Sequence, residues 1–183
     1  MQSVHATPQI FAMGRIVKAS NFEDLELFVK WEIISGSNFK LIEGNSKGET
    51  FLGNSRLEDR EIYFDHPFNF NLSCRSIKGW PKFLFEVWGT DQDSRNRLLG
   101  YGTTFLPFKT GNMKIDVPCW RPTESINEST KEFFLGNTAE FVDKSAVYSV
   151  DEKFGMNSIS TGSVTIEIDI IMKDFGIHGI QVG

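Results

Sequence analysis

The chain has 183 residues, a formal net charge of −5 and 40% apolar side chains, with phenylalanine at 17 positions. That is the usual size of one domain with ample material for a buried core, which excludes a disordered chain. The basic residues are scattered rather than clustered, which argues against a polyanion-binding surface, so nucleic acid is not expected as a partner.

In chain order, Met1 to Ala6 shows no charged start followed by an apolar run, and residues 1–8 read as a tail. No later segment approaches the roughly 20 apolar residues that span a bilayer, and the expected location is cytoplasmic. Met1-Gln2 does not fit N-myristoylation, nor does the end at Gly183 fit prenylation. Strands are predicted over Ile10 to Val17, then through the alternating Leu25, Leu27, Val29, Trp31 and Ile33, then over Phe39 to Ile42. Ile62 to Phe64 reads as a short strand, and Phe68, Phe70, Leu72 and Cys74 as another. Phe83, Phe85 and Val87 keep the same period of two, followed by Tyr101 to Leu106 and Met113 to Val117. Turn signals separate these runs at Ser35-Gly36-Ser37-Asn38, Gly44-Asn45, Lys78-Gly79-Trp80-Pro81 and Thr110-Gly111-Asn112.

One stretch breaks the pattern. Ser125 stands three residues before Glu128, then come Lys131, Phe133, Phe134 and finally Gly136, which predicts a short capped helix within Pro122 to Gly136. Asn137 to Gly162 is polar and irregular, and a long loop is expected there with a brief strand around Val147 and Tyr148. Val164, Ile166, Ile168, Ile170 and Met172 then share one face of a last strand, with Thr165, Glu167, Asp169 and Lys173 on the other and Ile171 as the exception. Many short alternating strands predict an all-β fold, a sandwich or a barrel, as a single domain over residues 9–175 with one short helical insertion and a tail at 176–183.

Chemistry is thinly represented. Cys74 and Cys119 are the only cysteines and form no CxxC pair, so neither a disulfide framework nor a zinc site is expected, and no cofactor. His66 follows Asp65 and precedes Pro67, which can be written as part of a triad or, more plainly, as a turn histidine. Gly100-Tyr101-Gly102 lacks the helix start or Gly-Lys-Ser/Thr that a phosphate loop needs. Asp91-Gln92-Asp93 is not an EF-hand, since Arg95 and Asn96 stand where a ligand and a glycine belong. It is either a solvated turn or a C2-type calcium loop. Trp31, Trp80, Trp88 and Trp120 fit core or corner packing better than a ligand platform. Catalysis is not expected.

Gly79-Trp80-Pro81-Lys82 running into Phe83-Leu84-Phe85-Glu86-Val87-Trp88, then Leu99-Gly100-Tyr101-Gly102 with Pro107 beyond, then Cys119-Trp120-Arg121-Pro122, resembles the B9 domain family. Gly14-Arg15-Ile16, Phe28-Val29-Lys30-Trp31 and the final Lys173-Asp174-Phe175 extend the resemblance over nearly the whole chain, as in the family's short single-domain member. The resemblance implies a C2-like antiparallel β-sandwich and a non-enzymatic scaffold role in a complex at the ciliary transition zone, beside the basal body and its cytoskeleton. It implies a hetero-complex with the other B9 proteins, and functions in cilium assembly and ciliary gating. The alternative is a calcium-independent peripheral lipid-binding module.

Calcium-binding C2 domains gather about five carboxylates from two loops, because a hard cation wants roughly six to eight oxygens. Matched to those positions, this chain offers Ser20 and Glu26 in one loop and Gly89, Asp91 and Arg97 in the other. Only Glu26 and Asp91 keep a carboxylate, so no physiological calcium site is expected, with Asp24 and Asp93 nearby but out of register. Phe22 at a loop tip, with Arg95 and Arg97 across from it, is expected to offer a weak contact to an anionic membrane.

Overall fold

A computed structural model describes residues 7–54, 59–90, 96–122 and 158–180. Ten strands follow in order: β1 (Gln9–Ser20), β2 (Glu26–Ile34), β3 (Phe39–Gly44), β4 (Lys47–Glu49), β5 (Gly53–Asn54), β6 (Glu61–Cys74), β7 (Lys82–Thr90), β8 (Asn96–Phe105), β9 (Gly111–Pro122) and β10 (Ser158–Lys173). A 3-10 turn, Gly176–His178, comes last. All described pairings are antiparallel, in the spatial order β3-β6-β1-β10-β9-β8-β7-β2-β4, with β5 beside β2.

The ladder is weakest in the middle of that order. β8 meets β9 only through Tyr101 opposite Trp120 and Gly102 opposite Cys119. A Cβ on Gly102 would lie 2.9 Å from the Cys119 Sγ and 3.2 Å from Val117, so the strands cross there only because the side chain is absent. The sheet folds over at this crossing into two layers. Their inner faces meet through aromatic rings, Phe68 against Phe83 at 5.3 Å between centroids and Trp31 against Phe68 at 5.6 Å. Period-two alternation aims Ile10, Ile16, Val29, Phe83, Phe85, Val164, Ile166, Ile168 and Ile170 into this core, all buried. Each such large side chain stabilises the fold by roughly 1.5–3 kcal/mol.

The all-β antiparallel architecture predicted from alternation is what forms, and Trp31 lies in the core as its face predicts. Trp88, on the opposite face of β7 from Phe85, is buried in a second cluster with Leu84, Leu98 and Tyr101. Trp80 makes the expected corner, its Nε1 donating to the Leu106 carbonyl at 2.6 Å.

Four expectations need correction. Ile62 to Phe64 and Phe68 to Cys74 are one strand, β6, and His66 lies within it rather than in a turn. The interruption is a bulge: between the pairs Ile16–His66 and Lys18–Tyr63, β6 contributes two residues against one, and Asp65 takes φ 45°. An aspartate tolerates that left-handed conformation. Pro67 is accommodated because β3 pairs only from Phe70 onward, leaving Pro67 on a sheet edge where a missing donor costs nothing. β8 begins at Asn96, and β10 at Ser158, inside the stretch expected as loop. The short β4 and β5 carry too few residues to show a period. The expected helix within 122–136 beyond Pro122, and the strand around Val147 and Tyr148, lie outside the described residues.

Candidate functional site

The described positions matched to a metal loop gather at one pole of the sandwich, by the end of β1, the start of β2, the end of β7 and the start of β8. Asn21 opens the first turn at φ 63°, and its N–H donates to the Arg60 carbonyl at 2.9 Å. The reversal sends the next side chain inward. Phe22 is only 4% exposed, part of the core, with its ring over Gly162, where a Cβ would come within 2.8 Å. The expectation that Phe22 touches a membrane from a loop tip is therefore wrong: its apolar surface is already spent inside the sandwich.

Two residues later, Asp24 meets the start of β8. The Arg97 Nε donates to one Asp24 carboxylate oxygen at 3.0 Å, and an Arg97 terminal nitrogen donates to the other, a bidentate pair. Gly89 stands opposite Arg97 in the β7–β8 register and opposite Leu27 of β2. A Cβ on Gly89 would overlap the Asp24 carboxylate and press within 2.9 Å of Leu99. The missing side chain at Gly89 thus makes the room in which Asp24 reaches Arg97. The neighbouring Glu23 is drawn to Arg121 of β9 at 3.9 Å. Asp24 is thus largely covered by its arginine, whereas Glu23 remains exposed and meets Arg121 only at long range.

The structure brings Gly89 and Arg97 together on Asp24, a residue that register alone left aside. Glu26 is exposed at the start of β2, opposite Asn54. Ser20 is buried, with a side-chain oxygen that has no hydrogen-bond partner. Asp91, Asp93 and Arg95 lie outside the described residues. Chemically, the described part of this pole supplies one guanidinium fixed on one carboxylate, which holds the β1–β2 turn to the start of β8 much as a bound cation would. The hint in the sequence was the coincidence of an arginine and a glycine at positions where carboxylates are wanted. What it lacked was the turn geometry that swings Asp24 across.

The other chemistry-bearing residues stand apart from this pole. Asp65 forms an ion pair with Arg15 at 3.2 Å, while His66 lies beside the Trp31 ring at 6.5 Å, and burial pushes the imidazole below its ordinary value. Cys74 and Cys119 are free and buried, and burial raises the Cys119 thiol to about 12, far from a reactive thiolate. Among the described residues no three His, Cys, Asp or Glu side chains cluster as metal ligands. No described helix is long and apolar enough to cross a membrane.

A family model, B9-C2, described as ciliary basal body-associated B9 protein, matches residues 10–171. B9 domain-containing protein 2 of Homo sapiens is 29% identical over 173 residues, covering 94% of this chain and 98% of its own length. The Drosophila melanogaster protein of the same name is 27% identical over 174 residues, with the same coverage. B9 domain-containing protein 1 of Xenopus laevis is 24% identical over 181 residues, covering 96% of this chain and 91% of its own. Among solved structures, a C2 domain of plant extended synaptotagmin 1 superposes with a TM-score of 0.45 at 11% identity, covering 90% of this chain and 95% of that one.

Proposed function

The chain belongs to the B9 family of ciliary basal body-associated proteins, and from that membership we propose that it is a non-enzymatic scaffold subunit of the ciliary transition-zone complex. In this reading it sits at the cilium base beside the basal body and its cytoskeleton, binds other B9 proteins in a hetero-complex, and serves cilium assembly and gating. The observation that carries the reading is the family match over residues 10–171, nearly the whole described sandwich.

An open sheet edge supports the partner part of it. Among the described residues β3 pairs with β6 alone, so among them its other edge is an unpaired strand edge. Leu41 and Ile42 on that strand are 36% and 51% exposed, beside Lys40 and Glu43. An edge of this kind accepts a strand from another sandwich, with backbone hydrogen bonds for affinity and side chains for choice of partner.

The test is the position of a tagged copy in ciliated cells, with co-purification of the other B9 proteins. Signal at the ciliary base and recovery of a B9 partner are expected. Ile42→Lys, which puts a charge on the edge, is expected to lower that recovery while the purified variant melts normally. Absence from the ciliary base, or no B9 protein in the purified material, overturns the reading.

A further inference from the structure

At the pole opposite the Asp24–Arg97 pair, three chain segments come together: residues 75–81 between β6 and β7, 106–110 between β8 and β9, and 174–180 after β10. Trp80 ties the first to the second, through its bond to the Leu106 carbonyl and an edge contact with Phe108 at 4.8 Å. Phe108 reaches the third at Phe175, 6.2 Å away. The inner sides of these rings complete the core, and Phe175 is fully buried.

The surface around these rings is apolar and open. Ile77 is 55% exposed, Phe105 57%, Phe108 38% and Ile177 72%, and a shallow apolar cavity of about 440 Å³ opens between Trp80 and Phe108. Single exposed apolar residues are ordinary, but a group of them from separate segments at one pole is not. The charge is equally uneven. Those three segments carry Arg75, Lys78 and Lys109 against one carboxylate, Asp174, in a chain with net charge −5. Arg15, Lys18, Arg97 and Arg121 elsewhere each face a carboxylate, whereas none of the described ion pairs uses Arg75, Lys78 or Lys109. Lys82 lies with its Nζ 4.6 Å from the Phe105 ring centre, its stem along the apolar surface.

We infer that this pole docks on an anionic lipid membrane, its apolar side chains entering the boundary between headgroups and acyl chains while Lys78, Lys109 and Arg75 meet lipid phosphates. Charge complementarity selects the occupant: cations that take part in none of the described ion pairs ring apolar tips, the arrangement that interfacial binding uses. An acidic protein segment fits less well, because these loops offer neither a free strand edge nor a cluster of hydrogen-bonding side chains to orient a backbone. The inference stands independently of the scaffold reading and holds whether or not a B9 partner is bound.

The experiment is co-sedimentation of the purified full chain with phosphatidylcholine vesicles, with and without phosphatidylserine, in calcium-free buffer. Binding is expected only with phosphatidylserine, and is expected to fall as salt rises. Lys78→Glu combined with Lys109→Glu is expected to weaken partition by roughly thirtyfold or more, at about 1 kcal/mol per basic side chain. Arg60→Glu combined with Arg121→Glu makes the same change in net charge at the opposite pole and is expected to retain binding within a few-fold. Ile77→Ser, in an exposed loop, is expected to reduce binding with an unchanged melting curve. Equal binding to both vesicle types, equal loss in the two charge-reversed variants, or capture of a polyglutamate peptide without any vesicle binding would each overturn the inference, the last by assigning the pole to an acidic protein segment.

Discussion

Gly89 shows how a single absent side chain can decide a site. Its α-carbon lies where the Asp24 carboxylate must pass to reach Arg97, and a methyl group there overlaps that carboxylate. Gly89→Ala is therefore expected to push Asp24 off the arginine and to lower stability by about 1–3 kcal/mol, the usual cost of overpacking. Arg97→Ala acts from the other side, leaving a carboxylate that is only 13% exposed without its bidentate partner, at a cost of about 1–3 kcal/mol. If the pair is the cause, Asp24→Asn in the Arg97→Ala background restores part of the loss. Denaturant midpoints for the single and double variants give the coupling, and additive losses would argue against it.

His66 gives the pH dependence at the same scale. Burial beside Trp31 holds its imidazole below the ordinary 6.5, so the folded protein favours the neutral ring. The unfolded chain takes up the proton first as pH falls, and stability drops from about pH 7 downward until the folded-state pKa is passed. Glu61, bonded to Lys18 and Tyr63, and Glu167, bonded to Arg15, have lowered values and lose their contributions only in more acidic solution. His66→Phe is expected to flatten the fall that begins at about pH 7 and leave the acidic limb intact. Urea midpoints through that fall check it, and an unchanged slope would assign the loss to other groups.

At the scale of elements, the crossing of β8 over β9 carries the greatest consequence per residue. Gly102→Val would drive a branched side chain into Cys119 and Val117 at one of the two positions where the layers remain paired. A loss of about 1–3 kcal/mol in thermal or denaturant unfolding is expected, and a neutral result would mean that the layers can separate there freely. This glycine also marks where sequence reading stops. Alternation in Val164 to Met172 and in Leu25 to Ile33 identified core strands with their inward faces, because a half-buried strand writes its burial into every second residue. The same rule split β6 in two, since the bulge at Asp65 resets the period and Pro67 looks like a terminator until the sheet edge is known. β7 hides its second face for the opposite reason. Leu84 and Trp88 are buried as well as Phe83 and Phe85, and in a strand covered on both sides the period of two picks out one buried face and leaves the other unmarked. The candidate site was legible as a set of substitutions, Gly89 and Arg97 among them. Its geometry depended on Asn21 reversing the chain, a local conformation with no periodic signature.

At the scale of the whole molecule, the two poles are closed by different means, an ion pair at one and an aromatic cluster at the other. This difference sets what calcium can do. A ligand that binds only the folded state raises its stability by RT ln(1 + [L]/Kd), so a micromolar site in millimolar calcium would add about 4 kcal/mol and move the unfolding midpoint by several degrees. Asp24 already faces the guanidinium of Arg97, and Glu23 that of Arg121. A divalent ion would have to displace one fixed cation and approach another, losing a bidentate hydrogen-bonded pair before gaining oxygen ligands. The melting midpoint is therefore expected to be the same in millimolar calcium and in excess chelator, and calorimetric titration is expected to show no micromolar heat. A calcium-dependent rise of the size just given would require the ion pair to open in solution, and Arg97→Ala would then increase the rise.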